Sequence, residues 1–176
     1  MENRFDHCED NDPEFPEMLR RGLRRTVVAI SLLSTRDVEG RFCGMAVTAA
    51  IPFSVDKPSI IVAVNHDASV FPVVQSTGIF CLNQITRNDL DLLDRFSRSD
   101  LRASRFTSNN WRVGHRNLPY LTSAETNFFC RVQSAQKHGD QTVFIAGIEA
   151  VQVKDDDVQK CDPLIWINGG PARLAN

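Results

Sequence analysis

The sequence predicts a mostly β protein, a β-barrel with a few helices. Seven runs rich in β-branched and aromatic residues follow one another between residues 26 and 167. They cover residues 26–34, 45–50, 59–65, 78–83, 127–137, 142–154 and 164–167. The helical segments between them are few and do not alternate with the strands, which favours a barrel over a doubly wound parallel sheet.

Three segments carry helix signals. Asp12, followed by a proline and a glutamate, predicts the N-cap of a helix that runs to about Arg21. Helical spacing of apolar residues predicts a second helix over residues 69–75 and a third over residues 88–96. The third is preceded by Thr86 with an aspartate three residues later, the pattern of a capping box.

Two connections stand out. Gly139 lies in a short polar stretch between two long β-prone runs, which predicts a hairpin that turns there. Residues 98–120 are polar and rich in Arg, Ser and Asn, with Trp111, Val113 and Leu118 as their few apolar anchors. We expect a long ordered excursion from the barrel.

Length and charge limit the possibilities. A chain of 176 residues has room for one domain. We therefore expect a flexible acidic tail at residues 1–11 and a single domain over residues 12–176. The net charge of −2 argues against a nucleic-acid partner or an anionic membrane surface, and no apolar run is long enough to span a bilayer.

The cysteines indicate a reducing compartment. There are five of them, an odd number, and they are scattered without a CxxC pair. No signal peptide precedes them. We therefore expect reduced thiols and a cytoplasmic protein.

Common catalytic and metal-binding motifs are missing from the sequence. The nine glycines do not form GxGxxG, and the half phosphate loop at residues 40–44 lacks the Lys-Ser/Thr that would follow. The four histidines have neither HExxH nor CxxC context, and no serine lies in GxSxG. We therefore predict no catalytic side chain and no metal ligand.

Seven blocks, in a constant order, carry a family resemblance. They are the segment Gly-Met-Ala-Val-Thr-Ala-Ala at 44–50, Ser-Val-Asp-Lys-Pro at 54–58, the strand 60–65, Ser69 with Phe71-Pro72, the strand 80–85, Gly-Asp-Gln-Thr at 139–142 and the closing segment 163–174. In this order they resemble the short-chain flavin reductase family, and the likeness extends over about residues 15–174.

The resemblance implies an FMN-binding split β-barrel of Greek-key type. It further implies a homodimer with the flavin at the subunit interface, an NAD(P)H:flavin oxidoreductase that transfers hydride from NADH or NADPH to FMN or FAD. The expected partner is a flavin-dependent monooxygenase. Because the flavin accepts the hydride, such an enzyme needs no acid, base or nucleophile from its side chains.

The first candidate cofactor-binding residues lie in the small-residue strand: Val47, Thr48, Ala49 and Ala50. Small side chains let a flat ring approach the backbone N–H groups closely, and Thr48 adds a hydroxyl. The alternative is ordinary packing of small residues in a barrel.

A second group follows the strand that ends at residue 65: Asn65, His66 and Ser69. At the start of a helix these donors could hold a phosphate, although Ser69 as a simple cap and Asn65 as a turn residue fit equally well. His66 occupies a position where the family often has Arg or Lys, which reduces the charge available to a phosphate.

The remaining candidates are Asn83, Gln84, Gln141 and Asn168. Asn83 and Gln84 could bond the pyrimidine side of the flavin, or could simply form a strand-end turn. Gln141 and Asn168 are expected near the nicotinamide, where this sequence departs from the family: Gln141 replaces a His, and residues 168–171 replace Arg-Gly-Arg-Tyr.

These departures leave two alternatives. One is a flavin-binding electron carrier, similar to flavoredoxin, without direct nicotinamide turnover. The other is an oxidase of a pyridoxine-like substrate on a related barrel, for which the closing segment supplies only Arg173 towards a basic phosphate pocket.

Overall fold

The computed structural model describes residues 8–154 and 161–173. The helices are α1 (Phe15–Leu23), α2 (Phe71–Thr77) and α3 (Leu90–Ser97). The strands are β1 (Val28–Ala29), β2 (Ser31–Arg36), β3 (Phe42–Val47), β4 (Ala50–Ser54), β5 (Ser59–Asn65), β6 (Ile79–Gln84), β7 (Trp111–Val113), β8 (Pro119–Leu121), β9 (Thr126–His138), β10 (Gln141–Val153), β11 (Ile165–Ile167) and β12 (Gly170–Ala172).

Seven of the strands form one antiparallel sheet in the order β3-β2-β6-β9-β10-β5-β4. Its outer strands, β3 and β4, are consecutive in the chain, with Thr48 and Ala49 alone between them. Three peptide steps span at most about 11 Å, so the two edges of the sheet must come together there. The sheet therefore curls into a split barrel, and the predicted mostly β barrel is confirmed.

A smaller sheet, β1-β11-β12, lies against one end of the barrel. The amide of Ile30 bonds the carbonyl of Leu164 at 2.9 Å, and the amide of Leu164 bonds the carbonyl of Ile85 at 2.8 Å. These bonds join the C-terminal hairpin β11–β12 to the start of β2 and the end of β6. The hairpin thereby covers the barrel next to β3.

Strand β2 is buried on both faces. Leu33 belongs to the core inside the barrel together with Phe80 and Phe144. Leu32 belongs to a second core outside the barrel, with Phe96 of α3 and with Trp111, whose rings stack at 5.5 Å. Successive side chains of a strand point to opposite faces, so the neighbours Leu32 and Leu33 contribute to different cores.

The second core holds the excursion at residues 98–120 against the barrel. Trp111 and Leu118 are buried, as predicted for apolar anchors of this segment. Val113 is 56% exposed, so the prediction that it is an anchor is wrong. Arg116 of the excursion is also bound to the main sheet, because the carboxylate of Glu149 in β10 accepts hydrogen bonds from Arg116 and from Arg131. These bonds hold the pKa of Glu149 at about 2.

Local signals predicted several elements correctly. The capping box between Thr86 and Asp89 is present, and Gly139 turns the β9–β10 hairpin with a φ of 56°. Helix α1 begins later than predicted: its N-cap is Glu14, and Asp12 instead accepts the Glu14 amide at 2.8 Å. Helix α2 likewise begins two residues late, at Phe71.

The sequence did not predict some of the strands, and part of the predicted tail lies outside the described residues. The predicted strand over residues 45–50 is interrupted at Thr48, and β4, β7, β8 and β12 were not predicted. Most of these strands are short. Residues 1–7 of the predicted tail lie outside the described residues, and the division into a tail and one domain stays a prediction. No helix between residues 8 and 154 or 161 and 173 is long and apolar enough to cross a membrane.

Gly44→Ala tests the close packing of α3 on β3. A Cβ at Gly44 would lie 2.6 Å from the Leu33 carbonyl oxygen and 2.7 Å from the Phe96 ring. We expect the free energy of unfolding in urea to fall by about 2 kcal/mol. Gly22→Ala is the matched control, because a Cβ there meets nothing within 4 Å. A Gly44→Ala protein as stable as wild type would contradict the packing described.

Candidate active site

A cavity of about 710 Å³ lies where the end of β3 meets α3 and the β11–β12 hairpin. Its walls are mostly apolar and include Met45, Ala46, Leu93, Phe96, Trp166 and Pro171. The turn at residues 67–69 and the loop after α3 complete the lining. A cavity of this size, with apolar walls and polar groups around them, suits a small organic ligand.

The bend between β3 and β4 supplies donors beside this cavity. Thr48 is exposed and lines it, while Val47 points into the core and is 4% exposed. The carbonyl of Ala49 accepts the Ala63 amide at 2.9 Å. In the described part of the chain, no residue accepts a hydrogen bond from the amides of Thr48 or Ala49. These two N–H groups are therefore available to a ligand.

The turn after β5 is held by the tip of the β9–β10 hairpin. Asn65 Nδ2 donates to Asp140 Oδ2 at 2.9 Å, and Asn65 Oδ1 accepts the Asp67 amide at 2.8 Å. His66 Nε2 lies 2.9 Å from Thr142 Oγ1, and the His66 amide donates to the Asp140 carbonyl. Asn65 thus acts as a turn residue, and both side chains position the turn.

Ser69 is the residue of this turn whose side chain is available to a ligand. It lines the cavity, and it does not cap α2, whose N-cap is Val70 and has no side-chain cap bond. The prediction that Ser69 opens the helix is therefore wrong, because α2 begins two residues later. Its exposed hydroxyl can still contact a ligand.

Asn83 was predicted to bind the flavin, but the structure gives its side chain a role within the fold. Its side chain is fully buried, with Nδ2 donating to the Leu32 carbonyl at 2.8 Å and to Ser34 Oγ at 2.9 Å. Its Oδ1 accepts the Leu121 amide at 2.8 Å. Since β6 is an inner strand, this side chain joins β2 to the excursion and cannot reach a ligand. Gln84 is half-buried and lies outside the cavity lining.

The two residues predicted near the nicotinamide also lie outside the lining of this cavity. Gln141 is exposed at the start of β10, paired with Asn65 and His138. Asn168 lies at the tip of the β11–β12 hairpin with a φ of 53°, and its amide donates to the Arg24 carbonyl at 2.7 Å. Asn tolerates this left-handed conformation, so a turn role accounts for it.

Sequence reasoning missed Arg105, which lines the cavity although it is only 5% exposed. Its guanidinium donates to the carbonyls of Gly44 at 2.6 Å, Arg95 at 2.9 Å and Arg98 at 2.9 Å. Burial, and then the charge of Arg102, lowers the pKa of Arg105. In the sequence this residue is one Arg of a polar stretch, and no local pattern marks it.

The described residues offer little for covalent or metal chemistry. No group of His, Cys, Asp and Glu among residues 8–154 and 161–173 is arranged to hold a metal ion. Burial raises the pKa of Cys130 to about 12, and it raises the pKa of Cys81 as well, which keeps both thiols protonated. The site therefore provides a shaped cavity, free amides and cations.

A curled sheet with an apolar cavity at its seam defines a ligand-binding split β-barrel. The sequence model of the flavin reductase like domain matches residues 23–175, and the chain belongs to this family. The resemblance found in the sequence is thereby confirmed.

Sequence relatives agree with this membership, and a solved structure shares the fold. The chain is 27% identical over 143 residues to the FMN reductase (NADH) RutF of Stutzerimonas stutzeri, covering 81% of this chain and 82% of the relative. It is 28% identical over 130 residues to the reductase component of the FADH(2)-dependent resorcinol hydroxylase of Rhizobium sp., covering 74% and 72%. The NADH:FAD oxidoreductase SgcE6 of Streptomyces globisporus, solved with NAD and FAD fragments, superposes with a TM-score of 0.82 at 16% identity, covering 96% and 98%.

Asn83→Ala tests the structural role assigned to that side chain. The variant leaves the Leu121 amide and the Leu32 carbonyl without their buried partners, so we expect the free energy of unfolding to fall by about 2–3 kcal/mol. The neighbouring Gln84→Ala should cost about 1 kcal/mol or less. Urea denaturation followed by fluorescence measures both. Equal stability of the two variants would contradict the role.

Proposed function

We propose that the chain is an NAD(P)H:flavin oxidoreductase that transfers hydride from NADH or NADPH to FMN or FAD. The observation that carries the proposal is an apolar cavity with free backbone amides at the barrel seam, in a member of the flavin reductase family. The activities of the RutF and resorcinol hydroxylase relatives support it.

The residues of the cavity fit a flavin. Its flat ring system needs an apolar slot, which Met45, Ala46 and Trp166 offer, and its polar edge needs donors. The amides of Thr48 and Ala49 provide these, and Ala50 continues the same bend into β4. Of the residues predicted from the sequence, Thr48 and Ser69 line the cavity, and Val47, Ala49 and Ala50 are neighbours of Thr48 in the chain that lie outside the lining.

The part played by the protein is binding and orientation. When bound, the flavin supplies the acceptor for the hydride, so no proton donor or nucleophile is required from the chain. Leu93, Phe96 and Trp166 give the cavity apolar walls that would exclude water, and the amides of the bend at Thr48 would hold the polar edge of a bound ring. Holding two reactants at reacting distance supplies much of the rate enhancement in such a reaction.

We further propose that the reduced flavin serves a partner monooxygenase in the cytoplasm. One relative is named as the reductase component of a hydroxylase, and a neighbour of known structure is the flavin reductase of a styrene monooxygenase. The five cysteines are all free thiols, which supports a reducing compartment.

The reductase proposal is tested by the oxidation of NADH and NADPH, followed at 340 nm with FMN and with FAD. We expect turnover with at least one pair, and a Met45→Trp variant, which fills the cavity, should lose most of it. If a reduced protein partner bleaches the bound flavin and neither NADH nor NADPH does, the chain is an electron carrier and not a reductase. Failure to bind either flavin would overturn both functions.

We also propose a homodimer formed through β4. Among the described residues this edge strand pairs with β5 alone, and it exposes two large apolar side chains, Ile51 at 61% and Phe53 at 57%, followed in the next turn by Val55 at 90%. An open edge with an apolar surface favours pairing with a second copy. Because β4 directly follows Thr48, such an interface would lie beside the cavity.

Light scattering after size exclusion tests this interface. We expect twice the chain mass of 19.8 kDa for the wild type, and a shift towards the monomer for Ile51→Asp combined with Phe53→Asp, because burying two carboxylates opposes association. Val38→Asp is the control, since this side chain is 79% exposed in the β2–β3 turn. A monomeric wild type would contradict the proposal.

A further inference from the structure

Arg102 and Arg105 both line the cavity, but their guanidinium groups are in different situations. Arg105 is buried, and its donors are bound to three backbone carbonyls. Arg102, in the turn just after α3, is exposed. Its side chain makes no hydrogen bond or ion pair with any residue of 8–154 or 161–173.

Other arginines of this polar segment already have partners. Arg98 pairs with Asp100 at 2.7 Å and lies 3.9 Å from Asp94, and Arg112 donates to the Asn109 carbonyl at 2.6 Å. Arg102 thus differs from both in presenting an unpaired cation to an apolar cavity. Among cavity-lining residues the carboxylates are Asp94, which is next to Arg98, and Asp67, on the turn after β5.

Two hydroxyl groups of the same chain segment also line the cavity. Ser97, the last residue of α3, and Ser99 line the cavity with Arg102, and both are exposed. Within the described ranges neither hydroxyl has a hydrogen-bond partner. A guanidinium and hydroxyl donors that line one cavity are groups that can bind a phosphate together, because Arg offers several N–H groups in a fork that matches phosphate oxygens.

The turn after β5 is less suited to a phosphate. His66 Nε2 is engaged with Thr142 at 2.9 Å, and Asn65 is engaged with Asp140. Helix α2 has only seven residues. The positive charge of the cavity therefore comes from the segment after α3, and not from the turn after β5 that the sequence suggested.

We propose that Arg102, with Ser97 and Ser99, binds a phosphate group of a ligand in this cavity. The proposal rests on the proposed function, which places a flavin in this cavity and requires a nicotinamide dinucleotide to reach it. The phosphate belongs either to the flavin or to the dinucleotide, and the two sources share the same chemistry at Arg102.

Arg102→Ala distinguishes the sources when FMN, riboflavin and NADH are compared on the full chain. Riboflavin has the ring but no phosphate. If Arg102 holds the flavin phosphate, the Kd for FMN rises about tenfold or more and the Kd for riboflavin is unchanged. If it holds a dinucleotide phosphate, the KM for NADH rises by a similar factor, while kcat and the Kd for FMN change little.

Two further variants control the measurement. Arg102→Lys keeps the charge and should recover part of the affinity, which a purely steric effect would not produce. Arg21→Ala removes an exposed arginine of α1, outside the cavity, and should change none of the constants. Since Arg102 is exposed, its variants should unfold at the wild-type urea concentration.

The outcomes separate this proposal from the function it rests on. A wild type that binds flavin and oxidises NADH, with constants in Arg102→Ala within twofold of wild type, would overturn the phosphate subsite alone. A wild type that binds neither flavin nor NADH would overturn the proposed function, and the subsite with it.

Discussion

Thr48 and Ala49 form the whole connection between the two outer strands of the seven-stranded sheet, and this short link constrains the rest of the molecule. It forces the sheet to curl until its edges meet, which creates both the barrel interior and the seam. At the bend the chain leaves the β ladder, so its amides lack partners in the described residues. One constraint therefore produces the fold and the donors of the proposed flavin site.

The outer wall of the site depends on Arg105 and Gly44. The buried guanidinium joins the carbonyl of Gly44 in β3 to those of Arg95 and Arg98 at the end of α3. The missing side chain at Gly44 lets the Phe96 ring approach the strand. Since removing a buried charge's partners is costly, this clamp keeps α3 beside β3 and leaves Arg102, three residues earlier, at the cavity.

Polar residues at strand ends divide between two uses. Asn83 joins strands within the core, and Asn65 and His66 fasten the turn to the β9–β10 hairpin. Thr48 and Ser69 face the cavity instead. Their chemistry is similar, and the tertiary contacts around each side chain decide whether it supports the fold or faces the cavity.

The sequence by itself determined the features that depend on near neighbours: the long strands, the capping box at Thr86, the turn at Gly139 and, through ordered motifs, the family. The tertiary structure alone decided the burial of Asn83, the exposure of Val113 and the position of Arg102 and Arg105. The physical reason is sequence distance. The cavity is formed by segments near residues 46, 68, 93, 102 and 166, which come together only when the sheet closes and the outer core packs.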